Sequence, residues 1–431
     1  MKTMIIFIVC INIVFLITIN GMSLQSKYQL KLSPLVNNMA ISKTIEIHAL
    51  TKEMEKNGLL VYSLCVGEPD YSPPESVLSA TTEAVTKGLT KYTAVNGDIL
   101  LRKAIADDLY TRKGTKYFPE QIVVSNGAKQ SVLQALMSVV SPGDDVIIPA
   151  PYWTSYPDMV KICQANPVII NTKTEDNYIL NPNDLRNCLL NNPKITCIIL
   201  CNPSNPTGSV ASYEQQLALA EVLNEFPKVT IIADEIYERL TYDGISHFSF
   251  AKLSDEMFER TVTINGFSKS HSMTGYRIGY SASSLEIAKA CSKLQSQITS
   301  CASSVGQYAA YKALTSTSTT WFNSQLNNLQ VKRDLSYNIL KSIPYVIVNK
   351  PNGAFYLLPD VSYYYNTVTP DNNNIRNSND FCLYLLKEKL VALVAGESFG
   401  DDKCIRLSYA TSTEILTESL NRLKSFILSL K

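Results

Sequence analysis

The chain has 431 residues, 45% of them hydrophobic and 18% charged, and its 39 basic and 38 acidic residues give a net charge of +1. This composition supports a sizeable core, and the balanced charge without a run of Lys or Arg argues against nucleic acid, so small molecules and other subunits are the expected partners. The 10 cysteines include no C-x-x-C pair and there are only 3 histidines, so the sequence predicts no metal site, no disulfide framework and a reducing compartment.

The N-terminus differs from the rest of the chain. Residues 1–23 contain a short basic start and an apolar run from Met4 to Ile19, which is shorter than the roughly 20 residues of a spanning helix and is typical of a cleaved signal peptide. No stable membrane span is therefore expected in the mature protein. The stretch from Ser23 to Ile45 holds three lysines with several Ser and Asn, and no acidic residue appears until Glu46. This composition is typical of transit peptides, and we assign residues 24–41 as a transit-like basic segment. The pattern predicts two-step import into a plastid; a start at Met22 or Met39, giving a cytoplasmic protein, is the alternative.

From residue 42 the pattern is globular. An amphipathic helix is predicted over 42–57 and a short strand over 60–65. Short apolar strands then alternate with helical stretches such as 129–140 and 214–225; the strands are predicted at 122–127, 145–151, 166–172, 195–203, 229–235 and 261–269. This alternation indicates a mostly parallel sheet covered by helices on both faces.

The C-terminal part has a different pattern. A long helical region over 285–342 precedes strand-like runs at 345–349, 352–361 and 403–410, with a polar, exposed loop predicted at 363–380. We therefore expect two domains. The larger spans 72–304, and the smaller combines an N-terminal arm at 42–71 with 305–431.

The first chemical candidate is Lys269, which follows a predicted strand in the segment SKSHSMTGYRIG (268–279). A lysine amine can condense with an aldehyde, and Arg277 supplies a fixed cation suited to phosphate. A lone lysine is more often a surface residue, so the interpretation depends on the other motifs.

The second candidate is the segment ADEIYE (233–238), at the end of another apolar strand. A carboxylate that emerges from a buried strand is costly unless it is paired. Asp234 can pair with a protonated ring nitrogen, which keeps the ring able to accept electrons, and Tyr237 can hydrogen-bond a ring hydroxyl. The alternative is that Asp234 caps a helix starting at Glu235 and Tyr237 packs in the core.

Three further loops follow predicted strands. The segment NPSNPTG (202–208) favours a rigid turn that orients Asn205, whose amide can donate to a ring oxygen. Gly127, in SNGAKQ, precedes a helix whose free N–H groups suit a phosphate. Trp153, in PYW, can stack on a ring. Taken singly, these are also consistent with a surface turn, a weak turn signal and core packing.

Eight segments occur in the order GEPD, KYTAVNG, SNGAKQ, PYW, NPSNPTG, ADEIYE, SKSHSMTGYRIG and CIRLSYA. This series resembles the aspartate aminotransferase superfamily (class I aminotransferases), and within it the prokaryote-type branch of aspartate and aspartate/prephenate aminotransferases. The resemblance covers residues 40–431. It implies an α/β fold of type I, with a large domain built on a mostly parallel seven-stranded sheet flanked by helices and a smaller α+β domain. It also implies the cofactor pyridoxal 5'-phosphate (PLP).

The resemblance assigns roles to single residues. Lys269 resembles the lysine that holds PLP and moves the substrate Cα proton, and Asp234 resembles the partner of the pyridine nitrogen. Asn205 and Tyr237 match contacts to the ring hydroxyl. The remaining cofactor contacts are Gly127, Ala128, Lys129, Trp153, Ser268, Arg277 and, from the neighbouring subunit, Tyr92. The substrate contacts are Gly67, Lys129, Trp153, Asn205 and Arg406, of which Arg406 matches the arginine that binds the α-carboxylate.

The implied reaction is ping-pong transfer of an amino group from L-aspartate or glutamate to 2-oxoglutarate or oxaloacetate, by a homodimer with shared sites. Lys129 resembles a lysine that binds the distal carboxylate of such substrates, which also makes prephenate a candidate; an exposed lysine in the first helical turn is the alternative. Other specificities (aromatic amino acids, alanine or methionine), a lyase or synthase of the same fold, and a PLP-binding regulator are the competing hypotheses.

Overall fold

The structure is a computed structural model that describes residues 31–37, 39 and 43–431. The predictions for 1–23 and for 24–30 lie outside these residues. The chain divides into two units, Met1–Ala40 and Ile41–Lys431. The described part of the first unit contains one short helix, α1 (Pro34–Asn37). Throughout the described ranges, every helix is too short or too polar to cross a membrane.

The second unit alternates helices and strands. Its helices are α2 (Lys43–Lys56), α3 (Glu75–Thr86), α4 (Ile99–Lys113), α5 (Ala128–Val139), α6 (Tyr156–Ile162), α7 (Pro182–Asn191), α8 (Tyr213–Asn224), α9 (Asp255–Arg260), α10 (Leu285–Ile298), α11 (Ser304–Ser316), α12 (Thr319–Lys341), α13 (Ser378–Lys389) and α14 (Thr413–Ser429). Its strands are β1 (Tyr62–Ser63), β2 (Ile122–Ser125), β3 (Asp145–Ala150), β4 (Asn166–Asn171), β5 (Ile195–Cys201), β6 (Thr230–Asp234), β7 (Thr261–Gly266), β8 (Gly279–Ala282), β9 (Tyr356–Leu357), β10 (Thr367–Val368), β11 (Asn374–Ile375), β12 (Val391–Ala392), β13 (Val394–Ala395) and β14 (Ile405–Ser408).

The central sheet has seven strands in the order β2-β8-β7-β6-β5-β3-β4. Only β8 is antiparallel to its neighbours, and the other six strands point the same way. The predicted mostly parallel seven-stranded sheet is therefore confirmed.

Helices cover both faces of this sheet because side chains alternate along each strand. On β3, Val146 and Ile148 pack in a cluster with Val132 and Leu136 of α5. Ile147, between them, belongs to the opposite cluster, which also contains residues of α7 and α8. Continuous apolar runs are thus explained by burial on both faces.

A second, three-stranded sheet has the order β13-β14-β9 and is antiparallel. It carries Tyr356 on β9 and Arg406 on β14, and Tyr356 pairs with Ser408 in the register. A short parallel pair joins β1 to β12. These elements form the expected α+β part, and the domain boundaries at 72 and 304 remain predictions.

Several sequence predictions need correction. The run 345–349 is not a strand, because only Ile347 forms an isolated bridge, to Asp360. The run 352–361 contains a strand of two residues, Tyr356–Leu357. The polar segment 363–380 is more ordered than predicted, since β10 and β11 pair within it and Ile375 is fully buried.

Candidate active site

The predicted site residues meet at one edge of the central sheet. Because β2, β3, β5, β6 and β7 are parallel, their carboxyl ends lie together, which is where open α/β sheets form their sites. A cavity of about 300 Å³ opens there. Its lining includes eleven predicted residues: Gly67, Ala128, Lys129, Trp153, Asn205, Asp234, Tyr237, Ser268, Lys269, Arg277 and Arg406.

Two predicted residues do not line the cavity. Gly127 lies next to it, directly before α5, and packs against Arg277. Tyr92 is far from buried: 87% of its surface is exposed in the single chain.

Lys269 follows β7 and lies in the cavity. Its Nζ donates a hydrogen bond of 2.5 Å to the carbonyl oxygen of Gly67. Burial, with the nearby Arg277 and Arg406 cations, lowers the pKa of the Lys269 amine to about 8, against the opposing effect of Glu68. A neutral, nucleophilic amine is therefore accessible close to physiological pH.

Asp234 ends β6 and is only 4% exposed. The Tyr156 hydroxyl donates to its Oδ2 at 2.7 Å, and the N–H of Ile236 donates to its Oδ1 at 3.3 Å. Burial nevertheless raises the pKa of the Asp234 carboxyl to about 6. No helix starts after Asp234, because the next residues form a turn, so the alternative in which it caps a helix does not hold.

Tyr237 lies in that turn and is 3% exposed. Its hydroxyl oxygen is 2.8 Å from that of Tyr356, and its ring packs edge-on against Phe355. Burial raises the pKa of Tyr237 well above its usual range, so the phenol keeps its proton. Tyr237 is thus both a core residue and a potential donor to the cavity.

One end of the cavity is suited to an anion. Helix α5 begins there at Ala128, after Gly127, whose φ of +85° is readily adopted only by glycine. A Cβ at Gly127 would overlap the guanidinium of Arg277, so glycine allows this cation to approach the helix N-terminus. Arg277 itself has a φ of +56° and donates from Nη1 to the carbonyl of Thr274 at 2.9 Å.

Arg406 lies at another wall of the cavity and is 3% exposed. Its guanidinium donates to the Cys65 carbonyl at 2.5 Å and to Asn205 Oδ1 at 3.1 Å. Its buried Nε has no hydrogen-bond partner within the described part of the chain, and a buried donor of this kind is costly unless a ligand satisfies it. Because Asn205 accepts through its oxygen, its amide N–H groups are left for a ligand.

These groups fit PLP in chemistry. The glycine-lined helix N-terminus beside Arg277 suits a phosphate, the buried Asp234 suits a protonated ring nitrogen, and the Lys269 amine suits an aldehyde. Lys129 and Trp153 add a cation and an aromatic face, with Nζ 5.1 Å from the ring centroid. The unpartnered Nε of Arg406 suits a carboxylate.

Sequence reasoning missed seven lining residues of the cavity, among them two tyrosines with hydrogen bonds to predicted site residues, Tyr156 and Tyr356. Tyr156 is three residues after Trp153, and Tyr356 is in the segment GAFY. A tyrosine near a strand end is common in cores, so only the hydrogen bonds to Asp234 and Tyr237 identify them.

Comparisons with known proteins agree with this geometry. The family profile described as "Aminotransferase class I and II" matches residues 61–423. The chain is 42% identical over 407 residues to a "Bifunctional aspartate aminotransferase and glutamate/aspartate-prephenate aminotransferase" of Petunia hybrida, covering 93% of this chain and 84% of that protein. It is 39% identical over 393 residues to a "Probable aspartate/prephenate aminotransferase" of Rickettsia felis, covering 91% of this chain and 95% of that protein.

Solved structures show the same likeness. The aspartate aminotransferase of Rhizobium meliloti superposes with a TM-score of 0.90 at 37% identity, covering 94% of this chain and 100% of that chain. An aspartate aminotransferase of Thermus thermophilus, solved with maleate, gives a TM-score of 0.86 at 33% identity, covering 92% of this chain and 100% of that chain.

Proposed function

Because the chain belongs to the class I and II aminotransferases, we propose that it is a PLP-dependent enzyme that transfers the amino group of L-aspartate or glutamate to 2-oxoglutarate or oxaloacetate (EC 2.6.1.1). The observation that carries the proposal is that Lys269, Asp234 and Arg406 line one cavity. The names of the relatives support these substrates and add prephenate as a further acceptor.

The proposed cofactor site uses both ends of the cavity. Arg277 and the N-terminus of α5 would hold the phosphate of PLP, and Trp153 would stack on its ring. The other contacts are Gly127, Ala128, Asn205, Asp234, Tyr237, Ser268 and Lys269. When bound, PLP supplies an electron-accepting pyridinium ring that stabilises the charge left on Cα after proton loss.

The protein's own residues perform the remaining work. Arg406 would bind the substrate α-carboxylate and orient the Cα–H bond toward Lys269. Lys269, as a neutral amine, would take the proton from the substrate Cα and deliver it to the carbon that was the aldehyde carbon of PLP. The lowered pKa of the Lys269 amine supports that role. Asp234 would keep the ring nitrogen protonated, while Tyr237 and Asn205 would donate to the ring oxygen.

A first experiment tests the cofactor. The protein incubated with PLP is expected to show the absorbance band of a lysine–cofactor imine, and Lys269→Ala is expected to lose the band and the transferase activity. Turnover of aspartate with 2-oxoglutarate separates a transaminase from a PLP-binding regulator, and the absence of amino transfer with any donor would reject the proposal.

Lys129 is proposed to bind the distal carboxylate. Lys129 as a whole is exposed in the single chain, but its Nζ lies over the ring of Trp153 at the cavity. Burial, together with the nearby Arg277 cation, lowers the pKa of the Lys129 amine. Lys129→Met is expected to raise KM for aspartate about 10-fold, consistent with loss of one charge-assisted hydrogen bond, and to leave KM for alanine unchanged. Equal increases of KM for alanine and aspartate in Lys129→Met would contradict the binding of a distal carboxylate by Lys129.

The specificity of the enzyme is defined by a panel of amino donors (aspartate, glutamate, alanine, methionine and phenylalanine) against the acceptors 2-oxoglutarate, oxaloacetate and prephenate.

We propose a homodimer in which Tyr92 reaches the PLP phosphate of the neighbouring subunit. Tyr92 is 87% exposed in the single chain and does not line the cavity that contains Lys269, which supports this assignment. The proposed location is a plastid, directed by residues 1–41, and the Petunia relative shows that plants have such enzymes. Residues 1–41 fused to a fluorescent protein should reach the plastid, and the chain starting at Met39 should not; cytoplasmic fluorescence from the full presequence would contradict the proposal.

A further inference from the structure

Tyr356 contacts both the cofactor half and the substrate half of the proposed site. It lies on β9 and lines the cavity. Its hydroxyl oxygen is 2.8 Å from that of Tyr237, and its ring centroid is 4.6 Å from the guanidinium carbon of Arg406. A Cβ at Gly67 would overlap the same hydroxyl, so the loop that accepts from Lys269 also packs against it.

The two phenols share a limited number of protons. Each hydroxyl can donate one hydrogen bond, and burial keeps both phenols protonated by raising the pKa of Tyr237 and of Tyr356. When Tyr237 donates its proton to an oxygen in the cavity, it can no longer donate to Tyr356. The 2.8 Å contact is then satisfied only if Tyr356 donates to Tyr237.

This arrangement strengthens Tyr237 as a donor. A hydroxyl that accepts a hydrogen bond becomes a better donor, because each bond in a chain polarises the next in a medium of low dielectric constant. Tyr356 is only 1% exposed, and its ring packs against Phe355 and against the Arg406 guanidinium. Its hydroxyl is therefore a fixed reference for the hydroxyl of Tyr237.

We propose that Tyr356 is a positioning residue whose hydroxyl donates to Tyr237 and so fixes the hydrogen bond from Tyr237 to the ring oxygen of PLP. This inference rests on the proposed function, since it requires PLP in the cavity. It also links the sheet that carries Arg406 to the turn that carries Tyr237.

The proposal has a spectroscopic consequence. The hydrogen bond from Tyr237 stabilises negative charge on the ring oxygen of PLP. Without this hydrogen bond, the ring oxygen attracts the imine proton more strongly, so the pKa of the imine rises. Tyr356→Phe weakens the donation and is expected to raise the pH midpoint of the cofactor absorbance band by about 0.4 pH unit. Tyr237→Phe removes the donor and is expected to raise the midpoint by about 1 unit.

A double variant shows whether Tyr356 acts through Tyr237. If it does, the midpoint of Tyr237→Phe/Tyr356→Phe equals that of Tyr237→Phe alone, because the second change has no hydrogen bond left to weaken. Tyr409→Phe is the matched control. Its hydroxyl also meets another phenol, that of Tyr242, at 3.3 Å in the same core and outside the cavity. It should lower thermal stability without moving the midpoint.

The outcomes separate the inference from the proposed function. A wild-type protein without the band refutes the function itself. A normal wild-type band with an unchanged midpoint in Tyr356→Phe overturns the inference alone, and so does a double variant whose shift is the sum of the two single shifts. Thermal unfolding shows that each variant is folded, and tryptophan quenching by PLP shows that each is saturated with the cofactor. A shift of the pH midpoint in Tyr409→Phe that follows its loss of stability would also overturn the inference.

Discussion

The carboxyl group of Asp234 is buried, and burial disfavours its ionised form. It is 4% exposed, and burial raises its pKa from 3.8 to about 6 despite the hydrogen bond from Tyr156. A protonated ring nitrogen in the cavity would offset this cost. In the protein without PLP, the ionised form of Asp234 therefore destabilises the fold.

The consequence can be measured by replacing the charge. The folded-state pKa of Asp234 is raised, so ionisation of this carboxyl costs free energy of unfolding. The PLP-free wild type has its full stability below the unfolded-state pKa, and it loses the contribution of the protonated carboxyl as the pH rises through about 6. Asp234→Asn keeps the shape and cannot ionise. The PLP-free variant is expected to gain stability over the PLP-free wild type between about pH 4 and 6, reaching ~3 kcal/mol above pH 6.

Urea unfolding at a series of pH values measures this difference. Asp107→Asn, at an exposed position on α4, is the control for the change from a carboxyl to an amide. If Asp234→Asn were destabilised equally at every pH, the prediction that the ionised Asp234 carboxylate destabilises the fold would be wrong. With PLP added, Asp234→Asn should lose most of its activity, because the ring nitrogen loses its partner.

At this scale, the sequence predicted most of the candidate site. Lys269 and Asn205 follow apolar strands and Asp234 ends one, so their position at a sheet edge could be inferred from local pattern alone. Tyr156 and Tyr356 could not be found in this way, because their contacts join residues 78 and 119 positions apart. No local pattern encodes which polar group a tyrosine hydroxyl contacts across such separations in sequence.

At the scale of elements, strand β8 controls how closely the helix α5 approaches the sheet. Gly279 begins β8, and a Cβ there would overlap the backbone of Gly127 and Ala128. Gly279→Ala is expected to destabilise the protein by about 1–3 kcal/mol through overpacking. It should also weaken PLP binding at least 10-fold, because the helix N-terminus is displaced.

Gly275→Ala is the matched control, since a Cβ at Gly275 meets nothing within 4 Å. Thermal unfolding and PLP titration of the two variants give the comparison. Normal PLP affinity in Gly279→Ala would show that the close packing at this point does not shape the phosphate end of the cavity.

Strand β8 also shows why the fold could be predicted only in part. The strands with long β-branched runs, such as β5 and β7, were predicted within about three residues of their observed ends. The sequence GYSA of β8 has no such run, and it is a strand because β2 and β7 supply partners on both sides. Conversely, the run 345–349 is apolar but lacks a partner beyond the single bridge of Ile347, so tertiary pairing outweighs propensity in both cases.

At the scale of the whole molecule, the proposed homodimer would place Tyr92 of one subunit at the cavity of the other. Tyr92→Ala and Lys269→Ala homodimers should each be nearly inactive, because one lacks a phosphate contact and the other lacks the amine. If Tyr92 acts across the interface, mixed dimers contain one site with both defects and one with neither. Mixing the two variants after reversible dissociation should therefore restore up to about a quarter of wild-type activity.

The control is a mixture of Asp234→Asn with Lys269→Ala. Both changes lie in the same subunit's cavity, so each site of the mixed dimer keeps one defect and activity should stay low. Recovery in neither mixture, or equal recovery in both, would contradict a shared site.

The reversed direction of β8 has a consequence for folding order. Since β8 starts at the edge where β7 ends, the chain between them leaves and re-enters the sheet at the cavity, and Lys269 and Arg277 both lie on this connection. A short antiparallel hairpin closes with little loss of chain entropy. The Lys269 amine and the Arg277 cation that we propose binds phosphate are therefore expected to become neighbours early in folding, before the distant strand that carries Arg406 packs beside them.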